Sequence, residues 1–379
     1  MKTAAIICEY NPFHNGHKYQ IEQAKLSHDA VVCIMSGSFV QRGDIAIFDK
    51  WTRANAALSS GCDLVIELPV CFSLNTAERF AYGGVSLADS LGIVDTLLFG
   101  SESGDIKKLE EIANILIDEP SKISDEIKKN MSLGMSYPTA KTKAYSKIID
   151  SVFLTEPNNI LGIEYIKALK LINSKITPQT IKRISVSHHD LNSSGEFASA
   201  TLIRELLLTN QDISQFVPVS YPTALKTDKL DELLRYKILE MSTDELSKIN
   251  DVSEGLENRI KSAVEKNLTF DEMADYIKSK RYTLARIRRI LFSCLIGIDK
   301  NIAQEPPSYI RVLGATQKGL ELLSEIKDKS QLPIITKTAD FKDFNNSFNL
   351  DLKATDIYNI IKGKPLGEDF YKSPEIKKV

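Results

Sequence analysis

Cys8-Glu9-Tyr10-Asn11-Pro12-Phe13-His14-Asn15-Gly16-His17 links an apolar run, Thr3 to Ile7, to an amphipathic run, Gly16 to Leu26. The first has the make-up of a buried strand, the second the apolar spacing of a helix. Two histidines and a glycine therefore stand where a strand gives way to a helix. Ligands of open α/β sheets bind at the carboxyl ends of strands. The unpaired N–H groups of a helix N-terminus attract phosphate there. An imidazole N–H can donate to a phosphoryl oxygen on which negative charge builds. Gly16 has no side chain, so the backbone can approach a nucleotide closely. Ordinary surface histidines are the plain alternative. A metal site is disfavoured, because no nearby Cys or acidic cluster completes a tetrahedral set with His14 and His17.

Strand and helix patterns alternate onward from this junction. Ala30 to Met35 is a second apolar run, Asp63 to Leu68 a third closed by Pro69, and Thr96 to Phe99 a fourth. Between them Lys50 to Ser60 has helical spacing with Gly61 as a stop, and Thr76 to Leu91 reads as a helix weakened by Gly83-Gly84. Such alternation predicts an α/β fold with a doubly wound parallel sheet. Asp105 to Ser174 is mostly helical by period, Thr180 to Val186 is a further strand, and Ser199 to Leu208 a helix. The pattern changes near Pro218 to Pro222. Charged, Leu- and Ile-spaced helices then run to Asp299, followed by a break at Pro306-Pro307 and a short mixed tail. The expected organisation is one unit over residues 1–215 and a mainly helical region over 216–379.

Composition excludes several classes. A hydrophobic content of 43% with 26% charged residues is that of an ordinary globular protein. The net charge of −2 gives no global signal for nucleic acid, although a local basic patch can suffice. Five cysteines, Cys8, Cys33, Cys62, Cys71 and Cys294, are unclustered and lie mostly in apolar runs. They read as buried thiols of a reducing cytoplasm rather than disulfides or zinc ligands. No signal-peptide pattern opens the chain, and no apolar run reaches a membrane span of ~20 residues.

Polar clusters recur at the predicted strand ends. Ser36-Gly37-Ser38-Phe39-Val40-Gln41-Arg42-Gly43-Asp44 is either a solvated loop or a binding loop for an acceptor or for pyrophosphate. Gly100 ends the fourth strand, where a ribose or adenine would lie against backbone. Pro157-Asn158-Asn159 opens a helix, with amides suited either to capping or to a purine edge. Arg183 lies in the last strand pattern and His188-His189-Asp190 follow it. Ser199-Ala200-Thr201-Leu202-Ile203-Arg204 combines a helix N-terminus, hydroxyls and a guanidinium, a set that suits phosphate. Further on, Lys278, Lys280, Arg281, Arg286, Arg288 and Arg289 form a basic stripe with Tyr282 interleaved. Its readings are a solvated helix face or a track for a phosphate backbone.

The His-x-Gly-His junction resembles the phosphate-binding motif of nucleotidyltransferases and class I aminoacyl-tRNA synthetases. A closer resemblance joins the blocks together. Glu9 to His17, Ser36-Gly37 with Gln41-Arg42-Gly43, Asp63 to Pro69, Phe99-Gly100-Ser101-Glu102, Pro157 to Gly162, Ser199-Ala200-Thr201 with Ile203-Arg204, and Lys280 to Thr283 are similar to the bacterial tRNA(Met) cytidine acetate ligases. The resemblance runs to at least Gly314. It implies a Rossmann-like nucleotidyltransferase domain with a helical tRNA-binding region. The implied activity converts acetate and ATP, the latter as its Mg²⁺ complex, to acetyl-adenylate. Acetyl then passes to N4 of the wobble cytidine of elongator tRNA(Met). His14, His17 and Arg204 are the implied catalytic groups. Ile7, Cys8, Glu9, Tyr10, Asn11, Pro12, Phe13, His14, Asn15, Gly16, His17, Lys18, Tyr19 and Gln20 would wrap the ATP, with Gly100, Asn158, Arg183, Ser199 and Thr201. The basic stripe would meet tRNA.

Two other functions share these features. One is a nucleotidyltransferase that couples ATP to another small carboxylate or cofactor precursor, without RNA. The other is a non-catalytic RNA-binding protein on the same fold. Charge reversal of Arg288 and Arg289 is expected to remove RNA modification while leaving adenylate chemistry intact.

Overall fold

The computed structural model describes residues 1–379 except 119, 147, 184–194, 225–228, 254, 343–345 and 379. Its strands are β1 (Thr3–Cys8), β2 (Ala30–Ser36), β3 (Phe39–Val40), β4 (Asp44–Ile45), β5 (Leu64–Leu68), β6 (Thr96–Ser101), β7 (Thr177–Lys182), β8 (Ile310–Thr316), β9 (Ile334–Ile335) and β10 (Glu375–Lys377). Eight of them form one sheet, in the order β10-β8-β5-β2-β1-β6-β7 with β9 beside β8. All neighbours run parallel except β5 and β8. β3 and β4 form a separate antiparallel hairpin.

Side-chain alternation builds two cores. Ala5, Ile7, Val32, Ile34, Leu64 and Ile66 face one side and pack with Val85 and Ile163. Ala4, Ile6, Cys8, Val31, Cys33 and Val65 face the other, against Ile21 of helix α1 (Asn15–Lys25) and Trp51 of helix α2 (Lys50–Ser59). Burial on both faces explains why these strands read as continuous apolar runs. Helix Ala77–Ser90 runs unbroken through its two glycines, which close packing demands, since a Cβ there would meet Phe72 Cγ at 2.3 Å or Ile7 Cδ1 at 2.7 Å. All five cysteines are free and buried.

The chain moves from β1 to β2 and β5 on one side, then returns to place β6 and β7 on the other. The β1–β6 ladder pairs only Ala4 with Thr96 and Ala5 with Leu97. Beyond that the ladder ends, short of the carboxyl ends of the two strands. This is the switch point at which open α/β sheets bind ligands.

The expected division at residue 215 does not interrupt the sheet. The runs 309–313 and 333–336 become β8 and β9, and with β10 they extend the sheet past β5. Lys50, buried in α2, bonds Glu67 at 2.8 Å and Asp369 at 2.8 Å, and Arg311 lies 3.5 Å from Asp369. The tail is therefore part of the α/β core rather than an appendage to the helices. No helix among the described residues is long and apolar enough to cross a membrane.

Candidate active site

His14 is the N-cap of α1, and its Nδ1 accepts the Gly16 N–H at 3.1 Å. His17, three residues on, turns its own Nδ1 back to accept the His14 N–H at 3.3 Å. The two rings stack, centroids 3.7 Å apart. Gly16 is required by this arrangement: a Cβ would lie 2.9 Å from His14 Cε1. A neutral imidazole with Nδ1 as acceptor carries its proton on Nε2. Both rings therefore present an N–H donor away from the helix. Burial, then the charges of Arg183 and Arg204, pushes the His14 pKa down to about 3. Burial and the neighbouring His14 hold His17 well below the usual histidine range. The pair is a set of neutral donors, fixed before any ligand arrives.

The loop behind them is anchored from several directions. Arg53, wholly buried in α2, donates to the carbonyls of Phe48 at 3.0 Å, Glu9 at 2.7 Å, Ser36 at 2.9 Å and also Gly37. It clamps the ends of β1 and β2 together. Asn11 Oδ1 accepts the Ile47 N–H at 2.8 Å, and Tyr221 donates to the Phe13 carbonyl at 2.8 Å. The peptide bond between Asn11 and Pro12 is cis, and Tyr10 takes the left-handed φ of 50°. Ile7 and Cys8 point into the two cores, and Tyr10 and Phe13 are buried as well. What these four offer a ligand is backbone and shape. Asn15 ties the start of α1 to residues 196–216 through the carbonyls of Glu196 (2.8 Å), Gln215 (3.0 Å) and Phe216 (2.9 Å). Lys18 lies on the surface 3.8 Å from Glu22, Tyr19 meets Phe197 edge-on, and Gln20 donates to the Leu98 carbonyl at 3.4 Å.

The other predicted residues arrive from distant parts of the chain. Ser199 caps helix Ala200–Leu208. Arg204, one turn on, donates to the Asn11 carbonyl at 2.8 Å and to Thr201 Oγ1 at 3.2 Å. Gly100, Asn158 and Arg183 form one wall. A Cβ on Gly100 would lie 3.1 Å from Arg183 Cγ, and Arg183 reaches Asn158 Oδ1 at 3.4 Å. Glu102 orders that wall: its carboxylate accepts Asn158 Nδ2 at 2.6 Å and the N–H groups of Asn158 (3.2 Å) and Asn159 (2.7 Å). Asn158 is thus not the helix cap; Glu102 supplies that function from the strand end. His188, His189 and Asp190 lie outside the described residues.

The basic stripe divides. Arg288 bonds Asp44, Asp271 and the Gly43 carbonyl (3.0 Å). Arg289 is buried beside Asp251 at 3.5 Å, and Arg286 donates to the Asp251 carbonyl at 2.8 Å and lies over the Tyr282 ring. Gly43, at φ +76°, rests so tightly on helix Leu284–Ile296 that a Cβ would meet Arg289 N at 2.7 Å. Arg288 is thus spent holding the helical region to the β3–β4 hairpin, and Arg286 and Arg289 are spent on Asp251 within the helical region itself. Lys278, Lys280 and Arg281 remain exposed. Among the described residues no group of His, Cys, Asp and Glu is arranged to hold a metal ion.

A sheet parted at its switch point, with a stacked donor pair at a helix N-terminus, defines a nucleotidyl transferase, and the family described as HIGH Nucleotidyl Transferase matches residues 1–370. Relatives narrow this class. The chain is 41% identical to the tRNA(Met) cytidine acetate ligase of Clostridium botulinum strain Langeland over 408 residues, covering 100% of this chain and 99% of the relative. It is 45% identical to the enzyme of that name from Thermoanaerobacter sp. strain X514 over 382 residues, 95% of each. The crystal structure of Thermotoga maritima TmcAL bound with alpha-thio ATP matches with a TM-score of 0.88 and 32% identity, over 100% of both chains. The chain belongs to the tRNA(Met) cytidine acetate ligase family.

Proposed function

We propose that this protein activates acetate with ATP, releasing pyrophosphate, and passes the acetyl group from acetyl-adenylate to N4 of the wobble cytidine of elongator tRNA(Met). The observation that carries this is the fixed donor pair. In-line attack by acetate on the α-phosphorus spreads negative charge over the phosphoryl oxygens, and preorganised donors stabilise it without further rearrangement. Neutral His14 and His17 meet that requirement, with the Arg204 guanidinium one layer away. The Gly100–Asn158–Arg183 wall suits adenosine, and the start of helix Ala200–Leu208 suits phosphate. Mg²⁺ would arrive with the ATP phosphates rather than in a protein cage, as is usual for that ion. The tRNA would meet the exposed Lys278, Lys280 and Arg281, and the protein would work in the cytoplasm.

The test incubates the protein with ATP, labelled acetate and unmodified elongator tRNA(Met), then digests the RNA. Labelled N4-acetylcytidine that needs ATP and is absent with His17→Ala supports the reading. Acetate-dependent pyrophosphate exchange without labelled RNA would redirect the acceptor, and neither signal would overturn it.

A further inference from the structure

The second half-reaction needs a proton acceptor that the histidines cannot provide. On each ring Nδ1 already accepts a backbone N–H and Nε2 carries the proton, so no lone pair is open. Carboxylates along the same rim are mostly committed. Asp44 is bonded to Arg288. Glu102 caps helix Pro157–Leu171. Asp49 caps α2 and pairs with Lys364. Glu67 holds buried Lys50. Glu9 differs. It stands immediately past the carboxyl end of β1, six residues before the N-terminus of α1, and its Oε1 accepts the Gln41 N–H at 2.7 Å. Its Oε2 accepts no hydrogen bond among the described residues.

We propose that Glu9 is the general base of acetyl transfer, resting on the function proposed above. The N4 lone pair of cytidine forms a bond to the acetyl carbonyl carbon. The bond from that carbon to the phosphate oxygen breaks, and AMP leaves with its electrons. The proton lost by the amine passes to Glu9 Oε2 and then to solvent. The groups that act on this carboxylate come from every side: Arg42 from the hairpin turn, Arg53 from α2, Arg204 from helix Ala200–Leu208, and Tyr165 from helix Pro157–Leu171. Burial raises the Glu9 pKa, while the Gln41 bond and the three arginines pull against it. A carboxylate raised in this way is a better proton acceptor. Arg42, exposed and without a hydrogen-bond partner among the described residues, is placed to meet the anionic side of the adenylate.

Glu9→Gln separates the roles, since its amide oxygen still accepts the Gln41 N–H. The expected result is a split between the half-reactions: single-turnover transfer from bound acetyl-adenylate to tRNA slows about 10²–10⁴-fold, well beyond any loss of acetate-dependent ATP–pyrophosphate exchange. The residual rate should climb with pH as hydroxide replaces the base, whereas wild type reaches a plateau. Glu9→Asp should recover part of the loss. Unchanged transfer in Glu9→Gln overturns the proposal. So does equal loss of exchange and transfer, which would assign Glu9 to the nucleotide half of the reaction. Absence of acetate-dependent exchange in the wild-type protein would instead remove the activity itself, and the role of Glu9 with it.

Discussion

In the proposed reaction His17 would act through a single N–H, and its removal should be felt in chemistry rather than in binding. His17→Ala is expected to lower adenylate formation about 10²–10³-fold, as for loss of one preorganised donor, and pyrophosphate exchange measures it. Affinity for tRNA, followed by filter binding, should stay near wild type. His14 gives a pH prediction. Its folded pKa of about 3 lies below the unfolded value, so the unfolded chain binds more protons between those limits. Stability is therefore complete above pH ~6.5 and falls as pH drops toward 3. Thermal melts across that range should show a shallower fall for His14→Gln. That two histidines and a glycine stand where a strand gives way to a helix was legible in the sequence, because the apolar runs on either side mark β1 and α1. The ring tautomers were not, since they depend on backbone N–H groups that exist only once α1 is wound. Arg53 was missed for a related reason. Its partners are all main-chain carbonyls, which leave no trace in residue type.

At the scale of elements, strand and helix ends do the positioning. Glu102 at the end of β6 holds the N-terminus of helix Pro157–Leu171 through three bonds, so Glu102→Gln should loosen Asn158 and Arg183 together. An increase of about tenfold or more in KM for ATP, with kcat less affected, is the expected signature of a lost charge-assisted bond. Helix Leu284–Ile296 teaches a different lesson. Its arginines were read as one basic face, but their spacing could not reveal that Asp44 and Asp251, remote in sequence, fold against them. Charge reversal of Arg288 and Arg289 is therefore expected to loosen the hairpin contact and the Asp251 contact within the helical region rather than to report on RNA. The informative variant is Lys278→Glu/Lys280→Glu/Arg281→Glu. It should weaken tRNA binding with a reduced salt dependence while exchange with acetate and ATP persists.

Across the whole molecule, the four N-terminal strands and their helices were legible nearly residue by residue, because strands buried on both faces write continuous apolar runs. The tail was not. Tyr309 to Leu313 reads as apolar, yet nothing local says that it will lie antiparallel to β5, which precedes it by most of the chain. Buried charge secures that long-range contact. Asp369→Ala would leave Lys50 and Arg311 with one carboxylate fewer, at a cost of about 3–5 kcal/mol in chemical denaturation. A single unfolding transition that shifts as a unit would show the tail and the nucleotide-binding strands melting together. Two separate transitions, only one of them moved, would contradict that coupling.

The insertion of β8 beside β5 also orders events during synthesis. A ribosome releases Leu64–Leu68 long before Ile310–Thr316, so one side of β5 keeps its backbone groups unpaired while the helical region is still being made. Open strand edges of this kind recruit other chains. The nascent protein thus carries a sticky seam that only its final segment can close. A message cut short between Arg204 and that segment yields a chain that holds every histidine and arginine of the candidate site and still lacks a finished sheet to carry them.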